Sequence, residues 1–187
     1  MCKILGTDSL NQTEYTVMAD RIEAGTFCVA ATLTKGNLEI KNFNPDIIKA
    51  ELELLRKVGA RIKIDSNKLT VIGPEKIKPI KNIKTREWPG VATDMQSQLM
   101  VLMCRADGKS SITENIFENR FLHVGELQRL GANIEIKKNK AFIYGNTKFI
   151  GAELMSSDLR ASVALVLAAM ISNCLLYTSP SPRDSMT

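Results

Sequence analysis

A stretch of eighteen residues occurs twice in this chain, and that recurrence limits the fold more than any other feature. Arg56–Gly73 reads RKVGARIKIDSNKLTVIG and Gln128–Gly145 reads QRLGANIEIKKNKAFIYG. The two align without a gap, 72 positions apart (56 to 128). Gly59/Gly131, Ala60/Ala132, Ile62/Ile134, Ile64/Ile136, Asn67/Asn139, Lys68/Lys140 and Gly73/Gly145 are identical, and Gly36 and Gly108 keep the same spacing. A supersecondary unit used repeatedly buries its apolar face by packing copies together.

Each unit can be decoded residue by residue. Asp20 and Asp94 each open a helix, where a short carboxylate can accept from the unpaired N–H groups of the first turn. Asp20-Arg21-Ile22-Glu23 and Thr93-Asp94-Met95-Gln96 both have the form of a capping box. Lys35-Gly36 and Asp107-Gly108 stop these helices. Strands follow at Leu38–Ile40 and Ser111–Thr113. Asn44 then caps a second helix with Pro45 in its first position. Ile48, Leu52, Leu55 and Val58 share one face of it, as do Phe121, Val124, Leu127 and Leu130 in the other unit. Gly59 and Gly131 end these helices in the left-handed conformation. A hairpin closes each unit: Ile62 and Ile64 alternate, Asn67 or Asn139 turns, and Leu69/Val71 or Ala141/Ile143 return. The unit is α-β-α-β-β, or βαβαββ if a preceding strand is counted. Its boundaries fall at about 4–73 and 74–145, with a third, truncated unit over 146–173.

The third unit begins with Ser157-Asp158-Leu159-Arg160, the same Asp-led helix start. The helix from Leu159 to Ile171 is apolar nearly all round, which predicts burial on every side. Helices in α/β folds normally coat a sheet. Here the pattern predicts helices inside and sheets outside. Where the repeat calls for a glycine and a β-branched strand, the chain reads CLLYTSPSPRDSMT from Cys174. Residues 174–187 are expected to be a non-native disordered tail; up to Asp184 they resemble translated sequencing-adapter sequence. Residues 1–173 are expected to form one partial domain.

Composition excludes several classes. The net charge of +5 is spread over scattered lysines and only 5% of residues are aromatic, so a nucleic-acid groove is not expected. The four cysteines show no CxxC spacing, which predicts neither a disulfide framework nor a metal site. Cys28 and Cys104 fall within apolar helical runs and read as core residues. No signal peptide is visible, and the apolar run Val163–Ile171 is too short to span a bilayer, so no membrane partner is expected.

Charged groups gather at the strand-to-helix joints, where α/β enzymes keep their chemistry. Asp94 precedes the apolar run Met95–Cys104, while Glu118, Asn119 and Arg120 follow the strand Ser111–Thr113. From spacing alone Asp94 reads as a helix cap, since Asp20 and Asp158 recur in that role. Arg120 could pair with Glu118 on the surface. His123, the only histidine, reads as a packed or half-exposed helix residue, and Trp88-Pro89 as an anchor for the loop before Asp94.

ADRIEAGTF (19–27), ATDMQSQ (92–98), ITENIFENRFLHVGEL (112–127), RLGANIEI (129–136) and SSDLRASVALVLA (156–168) resemble the bacterial UDP-N-acetylglucosamine enolpyruvyltransferases, also called UDP-N-acetylglucosamine 1-carboxyvinyltransferases. The resemblance covers roughly residues 4–173. It implies an inside-out α/β barrel built of βαβαββ repeats, here about two complete units and part of a third. The activity it implies is transfer of enolpyruvyl from phosphoenolpyruvate to the 3-hydroxyl of UDP-N-acetylglucosamine, releasing phosphate. That is the committed step of peptidoglycan precursor synthesis in the cytoplasm, with no cofactor or metal.

The same resemblance assigns roles. Asp94 would contact the sugar and act as general base, since an alcohol needs a proton acceptor to become a nucleophile. Ile116 would touch UDP-N-acetylglucosamine through its backbone. Arg120 would hold phosphoenolpyruvate with its planar fork, oriented by Glu118. Asp158 would lie near the reacting carbons in a proton relay, and Arg160 near the anionic substrate. Asp20, Arg21 and Glu23 would be structural or face a second domain. The family's phosphate-loop cysteine, a Lys-Asn pair and further arginines match nothing here. An N-terminal domain is therefore an expected partner, and the chain alone is expected to be inactive. Two other readings stay open: a non-catalytic nucleotide-sugar-binding or interaction domain of the same fold, and an RNA-terminal cyclase-like protein. Against the last stand the dispersed lysines and the absence of a nucleophilic histidine.

Overall fold

Asp20 starts the first helix as the sequence predicts. Its backbone is extended, and its Oδ1 accepts from the N–H groups of Ile22 (2.7 Å) and Glu23 (3.2 Å). Two of the donors that a helix start leaves open are thereby satisfied. The computed structural model describes residues 3, 5–155 and 159–173. Over these the order is α1 (Arg21–Leu33), β1 (Asn37–Lys41), α2 (Lys49–Lys57), β2 (Arg61–Asp65), β3 (Lys68–Ile72), β4 (Ile83–Lys84), α3 (Gln96–Cys104), β5 (Lys109–Thr113), α4 (His123–Arg129), β6 (Asn133–Lys137), β7 (Lys140–Tyr144) and α5 (Leu159–Ala169). Short 3-10 turns, Pro45–Ile48 and Thr93–Met95, lead into α2 and α3.

The repeat is a repeat of structure. One sheet has the order β1-β3-β2 and the other β4-β5-β7-β6. The hairpins share one register: Ile62 faces Val71 and Asp65 faces Lys68, as Ile134 faces Ile143 and Lys137 faces Lys140. β4 pairs in parallel with β5 through Ile83↔Ile112 and Lys84↔Thr113. The second unit is thus a full βαβαββ. In the first, residues 5–20 are exposed and carry no strand. Gly59 and Gly131 adopt positive φ (107° and 96°) after α2 and α4. The next residues reach back five positions, Ala60 N–H to Leu55 O and Ala132 N–H to Leu127 O, closing both helix ends.

Gly73 and Gly145 have a different reason to be glycine. Each ends a strand against the C-terminus of the helix that opened its unit. Their N–H groups donate to Gly36 O (2.9 Å) and Gly108 O (3.2 Å). A Cβ on Gly73 would overlap Ala31 O, and one on Gly145 would overlap Ala106 O.

The core is helical. Every residue of α3 is buried. The helix lies against α1 and α5 and beneath β5 and β7. Leu99, Met100, Val101, Leu102 and Met103 are at most 1% exposed. At about 1.5–3 kcal/mol for each large side chain, this helix is the main apolar contribution to the fold. Leu69 and Val71 of β3, with Ala141 and Ile143 of β7, close the two sheets onto the helices. Cys28 and Cys104 are fully buried thiols, as expected. Among the described residues, no helix is long and apolar enough to cross a membrane.

Two expectations are corrected, for α5 and for Trp88. α5 packs against α3 and α4 but is not buried all round: Val166 is 46% exposed. Ile64 and Ile136, near the ends of their strands, are about half exposed (48% and 46%). Asn67 and Asn139 lie in the hairpin turns as expected, with Lys138 taking the left-handed position of the second (φ 55°). Trp88 does not anchor its loop by burial; its side chain is 66% exposed. Asp158 and residues 174–187 lie outside the described residues, as does the side chain of Arg160 in α5.

Candidate active site

Asp94 and Arg120 meet. Arg120 Nη1 lies 3.3 Å from Asp94 Oδ1, across 26 positions of sequence. The arginine side chain is 19% exposed and the carboxylate 39%, so the pair stands at a wall and is not buried in the interior. Arg120 also lies over the ring of Phe117, with 4.3 Å to the centroid. The surface ion pair with Glu118 considered from sequence is replaced by this pair with Asp94. Glu118 is therefore not what orients the guanidinium.

Local structure explains the meeting. Asp94 sits inside the 3-10 turn Thr93–Met95, one step past the expected cap; the N-cap position belongs to Ala92. On the facing segment, Asn119 adopts positive φ (55°), a conformation asparagine tolerates better than most residues. That turn directs Arg120 back toward α3. The two strand-to-helix joints singled out in the sequence thus form one place.

Three hollows open there. The largest, about 830 Å³, runs along the loop from Glu114 to Leu122 and over Ile136, Lys138 and Asn139. A second, about 400 Å³, is lined by Asp20, Glu23, Thr26, Phe27, Asp94 and Gln98. Both helix starts, of α1 and of α3, open onto it. At the start of α1 the N–H groups of Ile22 and Glu23 already donate to Asp20, and Asp20, Glu23 and Asp94 bring three carboxylates to this hollow, so the helix starts do not make it an anion site. The third, about 240 Å³, is bounded by Thr93, Gln96, Ser97, Asn119, Arg120 and His123. His123 is buried (3% exposed), packed rather than half-exposed. Gln96 Nε2 is buried without a hydrogen-bond partner among the described residues, leaving a donor beside Arg120 for an incoming oxygen.

Ile116 lies on the site loop, but its backbone donor is committed: its N–H donates to Glu114 Oε1 (2.9 Å). What it can offer a ligand is its carbonyl oxygen. Sequence reasoning passed over two buried acids that hold this region. Glu114 bonds Thr93 Oγ1 (2.9 Å), and Glu51 of α2 accepts from Ala92 N–H (2.9 Å). Glu51 and Glu114 are each 3% exposed. Before folding is known, Glu114 shows only as a member of the motif at 112–127 and Glu51 only as an acid beside the apolar face of a helix.

The arrangement offers a half-exposed carboxylate beside a guanidinium, at converging helix starts: a proton acceptor next to an anion holder. The family model for EPSP synthase (3-phosphoshikimate 1-carboxyvinyltransferase) matches residues 1–179. The chain is 54% identical over 168 residues to the UDP-N-acetylglucosamine 1-carboxyvinyltransferase of Pelagibacter ubique, a match covering 90% of this chain and 40% of that protein. With the enzyme of that name from Desulfosudis oleivorans it shares 49% over 170 residues, covering 91% and 40%. The chain therefore spans about 40% of the length of these relatives. Among solved structures it is similar to the enolpyruvyl transferase NikO from Streptomyces tendae (TM-score 0.75, 28% identity, 84% of this chain and 38% of that one). It also shares the fold of the EPSP synthase from Acinetobacter baumannii (TM-score 0.66, 19% identity, 84% and 40%). A repeated α-β-α-β-β unit, once with its leading strand, around buried helices, and a match along nearly the whole sequence, place this chain in the EPSP synthase (3-phosphoshikimate 1-carboxyvinyltransferase) family.

Proposed function

We propose that this chain is part of an enzyme that moves the enolpyruvyl group of phosphoenolpyruvate onto the 3-hydroxyl of UDP-N-acetylglucosamine, in the cytoplasm, at the start of peptidoglycan precursor synthesis. The observation that carries the proposal is the Asp94–Arg120 pair, 3.3 Å apart at the mouth of the hollows. The choice of sugar nucleotide is supported by relatives bearing that activity in their names at 54% and 49% identity, against 19% for a shikimate enzyme.

The chemistry follows from the groups. A phosphate or carboxylate entering the site competes for the Arg120 fork and takes it from Asp94. The released carboxylate accepts the proton of the sugar hydroxyl. The methylene carbon of phosphoenolpyruvate gains a proton and the sugar oxygen bonds to the neighbouring carbon. The resulting methyl group then loses a proton to restore the double bond as the bond from that carbon to the phosphate oxygen breaks, and inorganic phosphate leaves carrying the proton taken from the sugar. Arg120 and the Gln96 amide beside it stabilise the negative charge carried by the substrates. Ile116 accepts from the sugar nucleotide through its carbonyl. Asp158 and Arg160 are assigned to the proton relay and to anion binding.

The test joins residues 1–173 to the segments of the Pelagibacter ubique relative that lie outside the match. Phosphate release is then measured with both substrates present. Release that needs both, and that falls at least about a hundredfold in Asp94→Asn, is the expected result. A properly folded chimera that binds UDP-N-acetylglucosamine yet releases no phosphate would favour the non-catalytic binding domain instead.

A further inference from the structure

Glu114 has both carboxylate oxygens engaged in a buried place. Oε1 accepts from Thr85 Oγ1 (2.7 Å), Ile116 N–H (2.9 Å) and Phe117 N–H (3.4 Å), and Oε2 accepts from Thr93 Oγ1 (2.9 Å). Thr85 Oγ1 accepts in turn from Asn115 N–H (3.0 Å). The backbone of Glu114 is tied as well: its N–H donates to Asn139 O (2.8 Å), and its carbonyl accepts from Asn139 Nδ2 (3.0 Å). One residue thus joins the parallel strand β4, the turn that carries Asp94, the loop that carries Ile116 and Arg120, and the hairpin β6-β7.

A carboxylate is a costly means of holding a fold together. Apolar packing of similar volume serves stability as well or better. None of the four donors on this carboxylate is a cation, so no ion pair offsets its desolvation. Its particular property is reach: two oxygens with several lone pairs can fix two unconnected segments at one separation. Those segments, Thr93-Asp94 and Ile116-Phe117, are the two that must meet the same sugar.

We propose that Glu114 is a positioning residue for enolpyruvyl transfer. It sets the distance between the proton acceptor Asp94 and the sugar-contacting carbonyl of Ile116. This rests on the function proposed above. Thr93 is the Asp94-side arm of the device, and the Ile116 N–H is the sugar-side arm. Glutamine can keep both arms: its oxygen accepts from Ile116 N–H, and its amide donates to a rotated Thr93 hydroxyl. Alanine keeps neither.

Two measurements test it. In the 187-residue chain, hydrogen exchange is followed in Glu114→Ala. Exchange of peptides covering 92–96 and 115–120 should speed up at least about tenfold, with the β2-β3 hairpin unchanged. Uniform acceleration across the chain would reduce Glu114 to general fold support and overturn the proposal. In the chimera with the Pelagibacter ubique segments, Glu114→Ala should lower kcat/KM for the sugar nucleotide about a hundredfold, the order expected for displacing reacting groups by about 1 Å. Glu114→Gln should restore it to within about fivefold. Thr93→Val, which cuts one arm, should lower kcat while changing the KM for UDP-N-acetylglucosamine less than about threefold. If Glu114→Ala turns over within twofold of the unaltered chimera, the positioning role is wrong while the function stands. If the unaltered chimera is inactive, the function fails, and the exchange experiment still reports whether Glu114 couples the two segments.

Discussion

Arg120 shows how much of this site one residue determines. Its guanidinium reaches the Asp94 carboxylate and covers the face of Phe117 at the same time. Lysine can reproduce the charge but not the planar fork or the stacked contact. Arg120→Lys is therefore expected to lower phosphate release in the chimera at least about tenfold, mainly through a higher KM for phosphoenolpyruvate. Steady-state kinetics with each substrate varied would check it; an unchanged KM would remove Arg120 from anion binding. Asp94, Ile116 and Arg120 could be named as candidates from the sequence because each lies in a short motif that carries the family resemblance. Their arrangement was not legible there. Spacing alone left Arg120 beside Glu118, two positions away, and only folding brought Asp94 to it. Glu51 and Glu114 escaped notice for the same reason, since their partners Ala92 and Thr85 lie 41 and 29 positions away.

At the scale of elements, local chemistry was decisive and therefore readable. Asn44 accepts from Asp46 N–H (3.0 Å) ahead of Pro45, as its cap role requires. Gly59 and Gly131 close their helices as expected. The strand-terminal glycines are a stronger case, because their demand is steric and tertiary. Gly145→Ala must push a methyl group into Ala106 O and Gly108 O. Such overpacking against backbone costs roughly 2–3 kcal/mol. A denaturant titration should show the midpoint falling with little change in slope; a shift below about 0.5 kcal/mol would mean the strand end is not held to the helix as described. The depth of burial along a strand was not readable: alternation marked the hairpin strands, and Ile64 and Ile136 stand half exposed in them.

For the whole molecule, the inversion of layers has measurable consequences. Cys28 and Cys104 sit on helices that form the interior, and burial pushes both thiols up to about 12 from an ordinary 9.0. Folding favours the neutral thiol. Its stabilisation is complete below about pH 9 and is lost as pH rises from there toward 12. Neither thiol should react with iodoacetamide in the native chain at pH 8, and both should react in denaturant. Mass spectrometry of labelled peptides checks this; rapid native labelling of Cys104 would contradict the buried position of α3. The helix-inside architecture itself was legible, because α3 and α5 are apolar around most of their circumference. What the sequence did not reveal is that α5 leaves Val166 and Met170 half exposed.

That outer face of α5 bears on what the chain can do by itself. The chain spans about 40% of the relatives' length, and a site that must exclude water and hold two anionic substrates is normally closed from more than one side. Here Asp94 and Arg120 stand on one wall, 39% and 19% exposed, with the hollows open beside them. The 187-residue chain alone is accordingly expected to release no phosphate from the two substrates, whereas the chimera does. It should also self-associate as concentration rises, because Phe27, Val166 and Met170 present apolar surface. Analytical ultracentrifugation of the same preparation used for the phosphate assay separates the two effects. A monomeric chain without turnover traces the loss to the incomplete site. Turnover by the chain alone would show that one wall suffices, and that Asp94 and Arg120 need no facing groups to carry the reaction.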